Sequence, residues 1–305
     1  MSQCSLLRFT SNKAKPQMSF KLLNERIEMG KYWQCEVSED LRRLIFIYVW
    51  QKSVDAEESR GTNQWKPPFT ELPSTRRIAQ QLSKSNYIIN IGGSINEGFE
   101  FEYSIIVWHI ATEIWYYSDR NYELFQQIRK DGKMIKRVSR YMMYLLVERP
   151  SMLSLEDSTY RISFKEMWKI TDKEPREKSN YPSFKEQACE RLRQKYPIHF
   201  PSMSREELLI YLAMELVRKV NHKYQTFESK WGRIGSVWMD LLGYAARNCK
   251  GNEHAQQLRR GGELLTHVWL LLCHFGLTDH YRSKRDEEIE TERYEEIEIE
   301  GDEEE

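Results

Sequence analysis

Glu263, His267 and His274 fall within about 40° of one another when wound at 100° per residue, forming a polar line on an otherwise apolar helix. A second Glu/His pair, His109 and Glu113, stands four residues apart and away from the aliphatic stripe of Tyr103, Val107, Ile110 and Ile114. If the two pairs converge, His109, Glu113, Glu263 and His267 offer ligands suited to a transition metal. They also offer a carboxylate-held histidine whose pKa burial could tune for general-base work. The plainer reading is that Glu and His four apart bond locally, and that a polar line marks where a buried helix meets solvent. His267 and His274 are separated by roughly 10.5 Å along a helix axis, so one metal cannot bridge them without a third element. With no HExxH motif present, the sequence assigns no metal ligands and no cofactor, and leans away from an enzyme.

Lys133, Lys136, Arg137 and Arg140 share one face of a predicted helix whose opposite face carries Met134, Val138, Tyr141, Met142 and Leu145. Such a basic amphipathic helix can meet phosphates or an anionic membrane surface, or can simply be a solvated face over a core stripe. Gly92-Gly93-Ser94 lacks the Gly-Lys of a phosphate loop, and no strand-turn-helix nucleophile elbow surrounds it. Trp108 and Trp115, like Trp231 and Trp238, are seven apart. That spacing fits core stripes better than a base-stacking platform, which makes nucleic acid an unlikely partner.

These segments sit in a chain of 305 residues that is 40% apolar and 12% aromatic, enough to bury a substantial core. Five scattered cysteines without a CxxC pair indicate neither a disulfide framework nor a zinc ribbon, and fit a reducing compartment. The apolar stretches from Ile105 to Tyr117 and from Leu264 to Leu277 are shorter than the roughly 18 residues of a membrane span. Each is also interrupted by His or Glu. The start has no apolar h-region and no Gly at position 2, so neither a signal peptide nor myristoylation is expected. The formal net charge of zero conceals a segregation: residues 286–305 hold 13 of the 46 acidic residues and one basic residue, Arg293. That tail is −12 and the remaining body +12, so the body can attract anions, its own tail included.

Repeats at i, i+3, i+4 and i+7 dominate the chain and two-residue alternation is rare, which predicts an all-α, irregular multi-helix globular domain. Residues 1–33 read as an irregular, disordered N-terminal segment, 34–282 as the helical domain, and 283–305 as a disordered acidic tail. A subdomain boundary is possible near 170–182, where Pro175 and Pro182 stand among charges, and the Gly- and Pro-bearing stretch 54–75 reads as a loop. Ser38 is a plausible cap for a first helix through Leu41, Leu44, Ile45, Tyr48 and Val49. Ser183 with Glu186 and Ser204 with Glu207 have the spacing of capping boxes. A break is expected near Thr226 and a helix C-terminal glycine at Gly251. From an Asn252 cap, a last helix is expected to run to about Phe275. Gly261 and Gly262 inside it would cost about 2 kcal/mol relative to Ala, which suggests that another helix crosses closely there.

His254-Ala255-Gln256-Gln257-Leu258, Gly261-Gly262-Glu263-Leu264-Leu265-Thr266, Val268-Trp269-Leu270-Leu271-Leu272 and His274-Phe275-Gly276 resemble the C-terminal signature of plant proteins bearing domain of unknown function 594. Trp108 to Glu113 and Arg140 to Leu146 look like that family's upstream region, so the resemblance spans roughly residues 30–282. His267 departs from the pattern, where an aromatic residue is expected. The resemblance implies a membrane-protein family whose N-terminal half, domain of unknown function 4220, carries several spans that this chain lacks.

On this footing the expected function is that of a helical protein-interaction module resembling the cytosolic region of that family, with an unknown protein partner. It would be cytoplasmic, or peripheral to a membrane. An enzyme or metal-binding protein using the His/Glu cluster is the first alternative, and a binder of phosphate or an anionic membrane surface the second.

Overall fold

The computed structural model describes residues 36–59, 97–118, 125–155, 205–260 and 262–278. Among them are seven helices: α1 (Glu39–Ser59), α2 (Glu97–Ser118), α3 (Phe125–Glu148), α4 (Arg205–Lys223), α5 (Phe227–Asn248), α6 (Gly251–Arg259) and α7 (Leu264–His274). A 3₁₀ turn, Pro150–Leu153, follows α3, and no strand occurs among the described residues, so the fold is all-α as predicted.

Every position from Ser104 to Tyr116 is buried, because the sequence there is apolar around most of the helix and His109, Thr112 and Glu113 find polar partners on neighbouring helices. α2 is accordingly the central helix, with α3 and α4 packed against it. α5 lies against α3 and α7, while α1 closes over α5 and α7. The buried side chains of all these helices form one continuous hydrophobic cluster. Polar groups bridge its layers: Trp238 Nε1 donates to Thr112 Oγ1 at 2.9 Å, joining α5 to α2, and Trp115 Nε1 donates to Asn221 Oδ1 at 3.1 Å, joining α2 to α4. All four tryptophans expected in core stripes, Trp108, Trp115, Trp231 and Trp238, are at most 3% exposed.

Several boundaries differ from the sequence expectation for local physical reasons. α1 continues to Ser59, past the start of the loop expected at 54, because Ser53 and Ala56 bury and keep the inner face of the helix in the core. α5 starts at the expected break, with Thr226 Oγ1 accepting the Ser229 amide at 3.3 Å. Gly251 does not end a helix. Cys249 and Lys250 adopt extended backbone, which needs no left-handed residue, and Gly251 opens α6 with Lys250 rather than Asn252 at its N-cap.

The single last helix expected from Asn252 to Phe275 is two helices. Gly262 adopts φ +81°, and its amide donates to the Gln257 carbonyl at 2.8 Å, the six-to-one bond that finishes α6. No crossing helix explains this glycine: the atom that a Cβ there would meet first, at 2.6 Å, is Cε1 of His267. α7 ends in the same manner at Gly276, with φ +65°. The Leu277 and Gly276 amides donate there to the Leu272 and Cys273 carbonyls. The N-terminal segment, the 170–182 boundary, the Ser183/Glu186 box, the Ser204 cap and the acidic tail lie outside the described residues.

Candidate functional site

The chemistry-bearing residues sort into two buried polar clusters and one exposed apolar face. In the first cluster, α2 presents His109 and Glu113 to the next helix, both fully buried. Arg140 of α3 grips Glu113 with two hydrogen bonds, Nε to Oε1 at 2.6 Å and Nη2 to Oε2 at 3.0 Å. Burial pushes this carboxyl towards protonation, but the Arg140 charge and hydrogen bonds outweigh it and hold Glu113 well below the usual carboxylate range. Both its oxygens are engaged, which makes it an ionic tie rather than a proton acceptor. His109 Nδ1 lies 2.8 Å from Ser139 Oγ. A histidine beside a serine hydroxyl has the geometry of a base and its nucleophile, yet both residues are 0% exposed, so no substrate reaches them in this conformation.

The four basic candidates on α3 therefore divide. Arg140 turns inward to Glu113, and the Lys136 ammonium lies 3.1 Å from the centroid of the Tyr116 ring. Lys133 is exposed and Arg137 half-buried, so two of the four present charge outward. Ser139 and Arg140, the partners that complete the α2 pairs, follow from a phase relation between two helices that sequence spacing alone does not contain.

The second cluster fastens α6 and α7 to the rest. His254, fully buried, donates from Nε2 to the Ala246 carbonyl on α5 at 3.1 Å, which leaves Nδ1 to accept from Thr266 Oγ1 on α7 at 3.2 Å. Its ring stacks on Trp269 at 4.7 Å and 14°. Desolvation lowers its pKa and keeps it neutral, as that pattern of one donor and one acceptor requires. Beside it, the Tyr141 hydroxyl of α3 accepts the Leu265 amide at 2.9 Å and donates to Glu263 Oε2 at 3.3 Å. The tyrosine thus supplies a capping acceptor at the start of α7, where Glu263 makes no side-chain cap of its own. Glu263 also holds His267 through its carbonyl, which accepts from Nδ1 at 2.8 Å, and the His267 side chain is exposed.

Glu113 is thus committed to Arg140 and Glu263 to Tyr141, each Glu/His pair serving its own neighbourhood. Among the described residues no group of three or more His, Cys, Asp or Glu is arranged to hold a metal ion.

Residues 223–277 match the family model described as a protein of unknown function, DUF594. This stretch is a DUF594 region. It runs from the last residue of α4 through α5, α6 and α7 to Leu277, whose amide closes α7. The His254 latch lies wholly inside it, while Tyr141, His109, Glu113 and the basic residues of α3 lie outside. No curated protein and no solved structure matches the chain. No helix among the described residues is long and apolar enough to cross a membrane.

Outside the DUF594 region, α1 is apolar on two sides. Leu41, Ile45 and Val49 enter the core, and Tyr48 follows them, donating to Asp240 Oδ1 at 2.7 Å where Lys52 also pairs at 3.4 Å. On the opposite side Phe46, Ile47 and Trp50 are 48%, 43% and 50% exposed. At 100° per residue they share an arc with Arg43, also exposed, and Arg42 borders it. Phe46 touches Phe275, just beyond α7, at 5.8 Å between ring centroids, so the face continues onto the end of the DUF594 region. The sequence reading identified the inner stripe and missed the outer one. The signal was available as three large apolar residues at spacings of one, three and four on the side opposite Leu41 and Ile45.

Proposed function

We propose that the chain is a helical protein-interaction module whose docking surface is the outer face of α1, centred on Ile47 and Trp50 and bounded by Phe46 and Phe275. The observation that carries this is the exposure of three large apolar side chains on a helix whose opposite face already supplies its packing. A helix apolar on both sides is buried on both sides when its partner is present. Tryptophan at the centre of such a patch contributes strongly to association. The charges around the patch set the partner's chemistry. Arg42 and Arg43 lie at the N-terminal end, while Asp55, Glu57 and Glu58 are further along the helix. The matching occupant is a protein segment with apolar side chains among acidic ones, oriented with its acids at the arginine end.

The two polar clusters support this reading, because both are internally satisfied ties that hold the helices in place. The test is binding of purified candidate partners, recovered with the full chain from cells, to wild-type protein and to Trp50→Ala. Loss of a central tryptophan anchor should weaken a true partner by about 2 kcal/mol or more, some thirtyfold in Kd. Binding unchanged by Trp50→Ala and by Ile47→Asp would refute the assignment of this face.

A further inference from the structure

We propose that the outer face of α1 is covered in the resting protein by the chain's own acidic C-terminal segment, residues 286–305. The inference rests on the docking reading above and names the occupant of that surface. Three observations converge on it. First, the described chain leaves α7 beside the patch: Phe275 touches Phe46, and Thr278 is only three residues beyond, at most about 11 Å of chain. The seven residues 279–285 add up to about 25 Å, whereas Arg42 to Trp50 spans only about 12 Å along the α1 axis. Residues 286–305 can therefore reach the whole patch without displacing any described helix.

Second, the composition matches. Ile289, Tyr294, Ile297 and Ile299 are interleaved with 13 acidic residues, which is the apolar-among-acidic pattern that the patch and its arginines select. Third, the basic face of α3 offers the tail less charge than its sequence suggests. On α3, Arg140 is consumed by Glu113, Lys136 lies on the Tyr116 ring, and Lys130 is paired with Asp40 at 2.9 Å. On α1, Arg43 is exposed, and Arg42, 65% exposed at its side chain, has Glu39 at only 3.7 Å. An acidic segment arriving there gains both charge attraction and cover for Ile47 and Trp50. The face then becomes available to an external partner only when the tail is displaced, and the tail sets the affinity threshold that a partner must exceed.

The experiment is site-specific photo-crosslinking on the full-length chain, with p-benzoylphenylalanine replacing Ile47, followed by proteolysis and mass spectrometry of the monomeric fraction. The expected result is a crosslink to peptides from residues 286–305 of the same molecule. It should be lost when Tyr294→Asp and Ile297→Asp are combined, and diminished at high salt. Crosslinks to a second copy alone, or to another protein alone, would overturn the tail as occupant while leaving the docking face standing. Failure to crosslink to any protein, in isolation and in cells, would remove both readings.

Discussion

Arg140→Met tests whether the Glu113–Arg140 tie holds the α2/α3 interface. The pair is buried, with side-chain exposures of 12% for Arg140 and 0% for Glu113, and it is joined by two hydrogen bonds. A surface pair would contribute at most about 1 kcal/mol. Removing one partner of a buried pair strands the other charge and costs about 3–5 kcal/mol, so Arg140→Met should destabilise the protein by that amount at neutral pH. Glu113→Leu with Arg140→Met removes both charges and should recover most of the loss. The pH dependence supplies the sign. In the native protein the Glu113 carboxyl is held below its unfolded value, so its contribution is present above the ordinary carboxylate pKa and fades as pH falls through the depressed one. In Arg140→Met the stranded carboxyl is shifted upward by burial, so the deficit against wild type should shrink on acidification as Glu113 takes up a proton. Chemical denaturation followed by circular dichroism between neutral and mildly acidic pH measures all three proteins. A deficit below about 1 kcal/mol, or a double variant as unstable as the single one, would refute the reasoning.

Three further outcomes are expected. Gly262→Ala should cost about 1–2 kcal/mol for the left-handed backbone alone, and more because its Cβ meets the His267 ring at 2.6 Å. Adding His267→Ala should return only the steric part, measured as the difference in unfolding free energy between single and double variants. Tyr141→Phe leaves the buried Leu265 amide without its acceptor and should cost about 1–3 kcal/mol, with faster hydrogen exchange at Leu265 as the local readout. His254 has a folded pKa below its unfolded value, so the unfolded chain binds more protons and stability should fall as pH drops below the ordinary histidine range. His254→Gln should be less stable at neutral pH and lose that part of the pH slope, and an unchanged slope in a melting series would contradict the assignment.

The helical class and most core stripes were legible in the sequence because helical periodicity is local. Leu41, Ile45 and Val49 of α1, and Met134, Val138, Tyr141, Met142 and Leu145 of α3, are buried as their spacing predicts. Harder to read were features that depend on how two helices are phased. Arg140 shares a helical face with Lys133, Lys136 and Arg137, and nothing along α3 distinguishes the arginine that meets Glu113 from the residues that meet solvent. The glycines at 261 and 262 were read as a close crossing because a glycine in a helix and a glycine ending one look alike in sequence. The difference rests on the bond from Gly262 N–H to Gln257 and on the room taken by the His267 ring.

The family match bears differently on architecture and on binding. His254, Thr266 and Trp269 carry the DUF594 resemblance, and in the structure His254 contacts Thr266, Trp269 and the Ala246 carbonyl. His254 and Thr266 are fully buried, so their chemistry is spent on joining α5, α6 and α7. A match over residues 223–277 thus conveys how three helices are clasped, a property that can accompany many partners. Phe46, Ile47 and Trp50 lie outside that match and contribute little to the clasp. Their substitution should therefore separate binding from folding. Trp50→Ala, at a half-exposed position, is expected to change stability far less than Arg140→Met, and a partner lost with Trp50 would be lost for want of contact rather than for want of structure.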